Sequence, residues 1–188
     1  MRKPYLFHSL TAVLAVATVL VATSCSSTSG VPEGDQLFTG LKPIKYENYE
    51  KSDHFSTTQE EIEAALATAP NGALLGSSYY RSPFPYSLWI WNAFHGSRGI
   101  FARWMTKTFG KPPVLMSSVS PALRASVATD VVRRHGYFRG SVAYDTIIGK
   151  NPKTAKIAYT VNAGPLFTVD SMTYTGFPAE ADSLIRTT

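Results

Sequence analysis

The sequence is poor in cysteine and in acidic residues. Cys25 is the only cysteine among 188 residues, which excludes an intrachain disulfide. The chain has 13 aspartates and glutamates against 18 lysines and arginines, and its net charge of +5 is too small to indicate nucleic-acid binding. It also lacks a Walker loop, a dinucleotide-binding glycine fingerprint and any spacing typical of a zinc site. Its hydrophobic content of 44% is normal for a globular protein, so a packed core is expected.

Residue types common in active sites are present but scattered. His54, His95 and His135 are far apart in sequence, which argues against a metal site. Ser97 lies in the sequence HGSRG, which lacks the G-x-S-x-G spacing of a hydrolase elbow. We therefore predict that the protein is not an enzyme and uses no cofactor.

Residues 1–24 have the pattern of a bacterial signal peptide. A basic start is followed by an apolar run over residues 10–22, which is too short to span a bilayer. The run ends in Ala-Thr-Ser-Cys, which is similar to a lipobox and predicts that Cys25 is acylated after cleavage. Residues 25–34 are then a short tether, rich in serine.

A strand and a helix are predicted after the tether. Residues 36–46 are expected to form the strand, and Pro43 indicates that it lies at an edge or is bulged. In the helix that follows, Thr57 or Thr58 is the predicted cap, because glutamates fill the next turns, and Ile62 belongs to the buried face.

A second helix is predicted to begin at Ser120. Its serine oxygen is expected to cap the first turn, and a proline stands at the first helical position. Leu123, Val127 and Val131 recur every four residues and predict the apolar face. Gly136 suits the left-handed residue that ends many helices.

Apolar and polar residues alternate after this helix, which predicts a hairpin. Residues 140–148 form its first strand, and residues 149–153 are the turn. Tyr144 and Ile157 are expected to lie inward on its two strands, beneath the apolar face of the second helix. Residues 167–174 predict a further strand.

Residues 73–113, between the two helices, are unusually aromatic and basic, and no acidic residue occurs from residue 64 to residue 129. One interpretation is that the aromatic rings pack as extra core. The other is that the segment lies at a membrane interface, where tryptophan and cations are favoured; binding to a glycan is a third. Phe101 and Trp104 are expected on one helical face, with Arg103 and Lys107 opposite. The membrane-interface candidates are Trp89, Trp91, Arg98, Phe101, Arg103, Trp104 and Lys107.

Three sequence segments carry a resemblance to a known family. They are HGYF before the hairpin, AKIAYTVNAGP in its second strand and FTVDSMTYTGF after it. In this order they resemble the end of one POTRA domain and the start of the next, as in lipid-anchored outer-membrane barrel-assembly factors of the BamA/TamA-like family (Bacteroidota type). The resemblance implies an α+β fold of strand, helix, helix, strand and strand over residues 35–165, with residues 73–113 as an insertion. Residues 166–188 would begin a second such domain.

The resemblance also implies a function. The protein would be a periplasmic binding module of an outer-membrane protein assembly factor, and its partners would be unfolded outer-membrane barrel proteins and accessory assembly lipoproteins. Because no acidic run follows Cys25, the lipid anchor would hold it in the outer membrane on the periplasmic side. The alternative is a stand-alone lipoprotein that binds lipid or glycan through residues 73–113.

In this family the strand after the second helix lies at a sheet edge, where an extended chain can be added. Proline at Ala143, Asp145 or Ile147 is expected to separate inward from outward backbone donors on that strand. The predicted client-binding residues are Ser141, Val142, Ala143, Tyr144, Asp145, Thr146 and Ile147.

Overall fold

The structure is a computed structural model that describes residues 27–171. The predicted signal peptide, Cys25 and residues 172–188 lie outside this range. The strands are β1 Leu37–Leu41, β2 Lys45–Glu47, β3 Ser141–Ile148 and β4 Thr154–Asn162. The helices are α1 Asp53–Leu66, α2 Tyr86–Phe94, α3 Ile100–Phe109, α4 Met116–Val119 and α5 Pro121–Arg134, with a short 3-10 turn at Leu74–Gly76. The predicted α+β class is confirmed.

Strand β4 lies at the centre of a mixed sheet. β1 and β2 pair with it in parallel along one side, and β3 pairs with it antiparallel along the other. The strand predicted over residues 36–46 is therefore two short strands with a break at Pro43. The register of β1 also shifts at Gly40. This residue has a φ of 119°, and a Cβ added to it would lie 2.9 Å from the carbonyl oxygen of Ser78, so only glycine fits there. The expected irregularity of this strand is confirmed.

The core lies between one face of the sheet and the helices α1 and α5, which pack against each other. Alternate residues of β4 face it, as the sequence pattern predicts, and Ile157 and Tyr159 are fully buried. Ile62 of α1 is also fully buried, as expected. The other large buried side chains include Phe38, Leu41, Phe55, Leu66, Val131 and Val132.

The apolar face predicted for α5 is wrong at two of its three positions. Val131 is buried, but Leu123 is 65% exposed and Val127 is also exposed. The helix instead places smaller side chains against the sheet, because alanine allows a close approach of the two backbones. These inward residues are Ala125, Ala128 and Val132, spaced by three and four.

Strand β3 has the predicted phase, but the helices cover little of it. Tyr144 is paired with the buried Tyr159 and so lies on the helix-facing side, yet it remains 46% exposed. The expectation that Tyr144 is a core residue is therefore wrong. β3 is an edge strand of the described sheet. Helix α5 reaches it beside Val142, whose N–H bonds the hydroxyl of Thr129, while Tyr144 and Ile148 further along the strand stay exposed.

The cap of α1 also differs from the prediction. Ser52 precedes the helix, and its hydroxyl oxygen accepts a hydrogen bond from the N–H of Phe55 at 3.1 Å. Thr57 and Thr58 lie one turn later and donate to backbone carbonyls four residues back. The serine was missed because the threonines stand closer to the glutamate-rich turns.

Helix α5 begins after Ser120 with a proline at its first position, as predicted. The expected cap by Ser120 is absent: its hydroxyl oxygen accepts no hydrogen bond from the first turn, and the hydroxyl donates to the carbonyl oxygen of Ser117 at 3.0 Å. Gly136 follows the helix with a φ of 88°, which confirms its predicted left-handed role. The strand predicted over residues 167–174 is absent from its described part, residues 167–171, which have no regular structure.

Candidate functional site

Strand β3 contains all seven residues predicted to bind a client chain. It pairs with β4 residue for residue, from Ser141 opposite Asn162 to Ile148 opposite Ala155. Within residues 27–171, no strand pairs with its other side. The prediction that this strand lies at an edge therefore agrees with the described sheet.

The direction of each backbone group in β3 follows from the register. Gly149 donates its N–H to the carbonyl oxygen of Thr154 at 2.8 Å, immediately beyond the last strand pair. Backbone groups of residues two apart point the same way, so the odd-numbered residues of β3 face β4 and the even-numbered residues face outward. Consistent with this, the N–H of Val142 bonds the hydroxyl of Thr129 on α5 at 3.0 Å. The remaining outward donors, which have no partner in the described chain, belong to Tyr144, Thr146 and Ile148.

The three positions expected to separate inward from outward donors do not do so. Ala143, Asp145 and Ile147 are all odd-numbered, so all three direct their N–H groups toward β4. The sequence-based choice failed because it sampled the strand at a spacing of two, which always returns to the same side.

The side chains beside this edge are mostly apolar. Tyr144 and Ile148 are exposed on the helix-facing side, and Ile147 is partly exposed on the other. Asp145 is the only charged residue of the strand. On the side of the sheet away from the helices there is a groove of about 520 Å³. It runs from Ala143 and Ile147 on β3 to Pro43, at the break between β1 and β2. An added strand would meet apolar contacts on both of its faces.

Two residues of this edge are missing from the seven client-binding residues predicted from the sequence, although the predicted strand itself includes Ile148. Ile148 continues the alternating pattern by one residue and could have been included from sequence. Thr129 could not, because its contact with Val142 depends on how α5 lies beside β3.

A second surface is formed by residues 73–113, where α2 and α3 pack against each other. Aromatic rings follow one another along this pair of helices. The ring centroids of Phe94 and Phe101 are 6.3 Å apart, those of Phe101 and Trp104 are 6.0 Å apart, and those of Trp104 and Phe109 are 5.8 Å apart. These distances are typical of paired aromatic side chains, so the cluster is packed within itself.

The outer face of α3 is nevertheless open to solvent. Ile100 is 88% exposed, Phe101 is 65% exposed and Trp104 is 53% exposed, whereas Ala102 on the opposite face is buried. Arg103 and Lys107 are exposed as well. The expectation that these cations lie opposite the aromatic face is wrong, because the face opposite the aromatics packs on the protein and the cations flank the aromatic ridge.

The other interface candidates lie in or just after α2. Trp89 is partly buried, and its indole Nε1 donates to the hydroxyl of Ser27 at 3.0 Å. Trp91 stacks on His95 with ring centroids 5.3 Å apart. Arg98 is exposed in the loop before α3. Trp89 and Trp91 therefore help to pack α2, and the exposed candidates are those of α3 together with Arg98.

The histidines are less scattered in space than in sequence. The rings of His54 and His135 are 5.8 Å apart, and His135 Nε2 lies 3.0 Å from a carboxylate oxygen of Glu61. This contact joins the C-terminal end of α5 to α1. Over residues 27–171, no cluster of three or more potential metal ligands occurs.

Tyr159 is the most buried polar side chain near the centre of the sheet. Its hydroxyl is buried and has no hydrogen-bond partner among the described residues. Burial raises the pKa of Tyr159 to about 12, although the positive charge of Arg124 acts in the opposite direction. Arg124 itself donates to the carbonyl oxygens of Ala65 and Ala67 at the end of α1, at 3.3 and 3.1 Å.

Helices in the part of the chain that the structure covers are all too short or too polar to cross a bilayer. Comparison of the sequence and the structure with protein family models, with curated proteins and with solved structures found no match.

Proposed function

We propose that this protein is a binding module that captures extended polypeptide segments by adding them as a strand to the free edge of β3. The single observation that carries the proposal is the row of outward backbone groups at Tyr144, Thr146 and Ile148. Unpaired groups of this kind are a template for another chain.

The composition of β3 supports the same proposal. Proteins normally protect an exposed edge with short strands, lysine, proline or a bulge. β3 is eight residues long, contains neither lysine nor proline, and pairs with β4 without a register shift. Such an edge is a liability in a free protein, and its retention is explained if the edge has a partner.

The order of elements supports a POTRA-type domain as the setting. β1 and β2 precede α1, and α5 is followed by the hairpin of β3 and β4, with residues 73–113 inserted between the two long helices. We propose that the clients are unfolded outer-membrane barrel proteins, whose strands alternate apolar and polar residues. Accessory assembly lipoproteins are the proposed further partners, and a lipid anchor at Cys25 would place the domain on the periplasmic side of the outer membrane.

Proline substitutions at outward and inward positions test this mechanism. Thr146→Pro removes an outward donor, so it should leave the domain folded and weaken binding of a barrel-strand peptide of about ten residues. A loss of about tenfold in affinity is expected from one backbone hydrogen bond, measured by fluorescence anisotropy. Asp145→Pro removes an inward donor and should lower the melting temperature strongly.

The matched control is Thr146→Ala, which changes the same side chain but keeps the donor and should bind as the wild type does. The proposal fails if Tyr144→Pro, Thr146→Pro and Ile148→Pro all remain folded and bind the peptide with unchanged affinity. It also fails if β3 pairs only with a second copy of the chain. In that case the protein would self-associate through β3, and added peptide would not dissociate the two copies.

A further inference from the structure

The outer face of α3 is an exposed apolar surface, separate from the edge of β3. We propose that this face lies on an anionic lipid bilayer, with its aromatic and aliphatic side chains at the headgroup level and its cations directed at lipid phosphates. This inference goes beyond strand addition, and it stands whether or not β3 binds a chain.

The apolar part of the surface is a ridge along one side of the helix. Ile100 and Trp104 are one turn apart, and Phe101 lies beside them. All three are more than half exposed, while the opposite face of the helix is covered by the protein. Contiguous exposure of large apolar side chains marks an interaction site, and a tryptophan beside aliphatic and phenyl groups suits the membrane interface.

The charged residues beside the ridge indicate that its partner is anionic. Arg103 and Lys107 flank the ridge and point to solvent, and Arg98 lies in the preceding loop. No acidic residue occurs between residue 64 and residue 129 to offset them. A helix with an apolar ridge bordered by cations matches an anionic lipid surface, which attracts lysine and arginine side chains.

The position of the tether gives an independent reason for a membrane on this side. Ser27 is held against Trp89 of α2 by the indole hydrogen bond at 3.0 Å, and α2 packs directly on α3. Cys25 precedes Ser27 by two residues. A chain segment of this length spans at most about 7 Å, so an acyl group on Cys25 would enter the bilayer close to the pair of helices that carries the ridge.

Single-tryptophan fluorescence tests this surface in the full chain. The double substitution Trp89→Phe and Trp91→Phe leaves Trp104 as the only tryptophan. On vesicles of mixed phosphatidylcholine and phosphatidylglycerol, Trp104 emission should shift to shorter wavelength and be quenched by brominated lipid. High salt should reduce both effects. Emission and quenching report only the surroundings of Trp104. Membrane attachment through the apolar N-terminal segment alone would therefore not produce the shift.

A matched reporter lies on a different surface. Replacing all three tryptophans by phenylalanine and adding Leu123→Trp places one tryptophan at an exposed apolar position of α5. This reporter should show little quenching by the same lipid. If Trp104 and the α5 reporter are quenched equally, the chain lies on lipid without a preferred face and the proposal is wrong.

Charge reversal separates anionic lipid from other partners. The double substitution Arg103→Glu and Lys107→Glu should raise the lipid concentration needed for half-maximal quenching of Trp104 at least about tenfold. The control substitution Arg133→Glu and Arg134→Glu on α5 should change this concentration little. Equal quenching on neutral and anionic vesicles would overturn the assignment. So would an unchanged Trp104 spectrum on vesicles combined with a shift caused by a soluble protein or glycan, which would assign the ridge to that partner instead.

Discussion

Tyr159 shows at the scale of one residue how this core accepts a polar group. Its side chain is the largest that the core buries fully, and its hydroxyl finds no partner among the described residues. Such a group stabilises the fold through its ring and opposes it through the desolvated hydroxyl. Tyr159→Phe is therefore a mild change in shape that removes an unfavourable group.

The pH dependence of stability should reveal this tyrosine. Its pKa is raised from 10.0 to about 12, so the folded state keeps the proton after the unfolded chain has lost it. Stability that is complete below pH 10 should decline as the pH rises toward 12, by up to about 3 kcal/mol. Chemical denaturation of the wild type and of Tyr159→Phe at pH 8 and pH 11 measures the difference.

The Tyr159→Phe chain should lose less stability between these pH values than the wild type does. Tyr46 and Tyr137 also have raised pKa values because of burial, but both are present in the two chains and cancel in the comparison. Parallel decline of the two chains would contradict the burial of the Tyr159 hydroxyl.

At the scale of one element, the start of α1 depends on a residue outside the helix. Ser52→Ala removes the acceptor for the N–H of Phe55 and should destabilise the protein by about 1 kcal/mol, measured by urea denaturation. Thr57→Ala is the matched control. It removes a hydroxyl from the helix itself, so it should be neutral or slightly stabilising, and the reverse order would show that the helix starts later.

The sequence predicted some elements better than others for physical reasons. The β4 pattern was unambiguous because one face of a central strand is fully buried and the side-chain period is two. The α5 pattern misled because its core contacts include Ala125 and Ala128, which carry little hydrophobic signal, while Leu123 and Val127 are exposed. Which residues face inward on a helix depends on its partner's position, and no local pattern contains that information.

The candidate site was predictable to a similar extent. The edge position of β3 followed from the family resemblance and the hairpin. The direction of its backbone donors needed the register, and the place of Arg103 and Lys107 beside the ridge needed the rotation of α3 against α2. These are tertiary properties, so sequence reasoning could name the residues and could not orient them.

At the scale of the whole molecule, the proposed lipid anchor at Cys25 and the proposed membrane contact of α3 should act together. Cells fed an alkyne analogue of palmitate should label the wild type and leave Cys25→Ser unlabelled, while Ser26→Ala should keep the label. Cys25→Ser protein should also leave the membrane fraction more readily in high salt than the wild type does, because salt weakens the contacts of Arg103 and Lys107 and no acyl group compensates for them. Labelling that persists in Cys25→Ser would refute acylation at this residue.

The pairing of β1 with β4 has a consequence for how the chain acquires its structure. The side-chain hydroxyl of Thr39 on β1 donates to the carbonyl oxygen of Ala155 on β4, 116 positions away, and β4 is the last of the four strands to be synthesised. β1 gains its pairing only when this long loop closes, so its addition to the sheet should be slower than formation of the local hairpin of β3 and β4. While the chain emerges from the ribosome, β1 has no strand to join. The parallel part of the sheet can therefore form only after β4 has been synthesised.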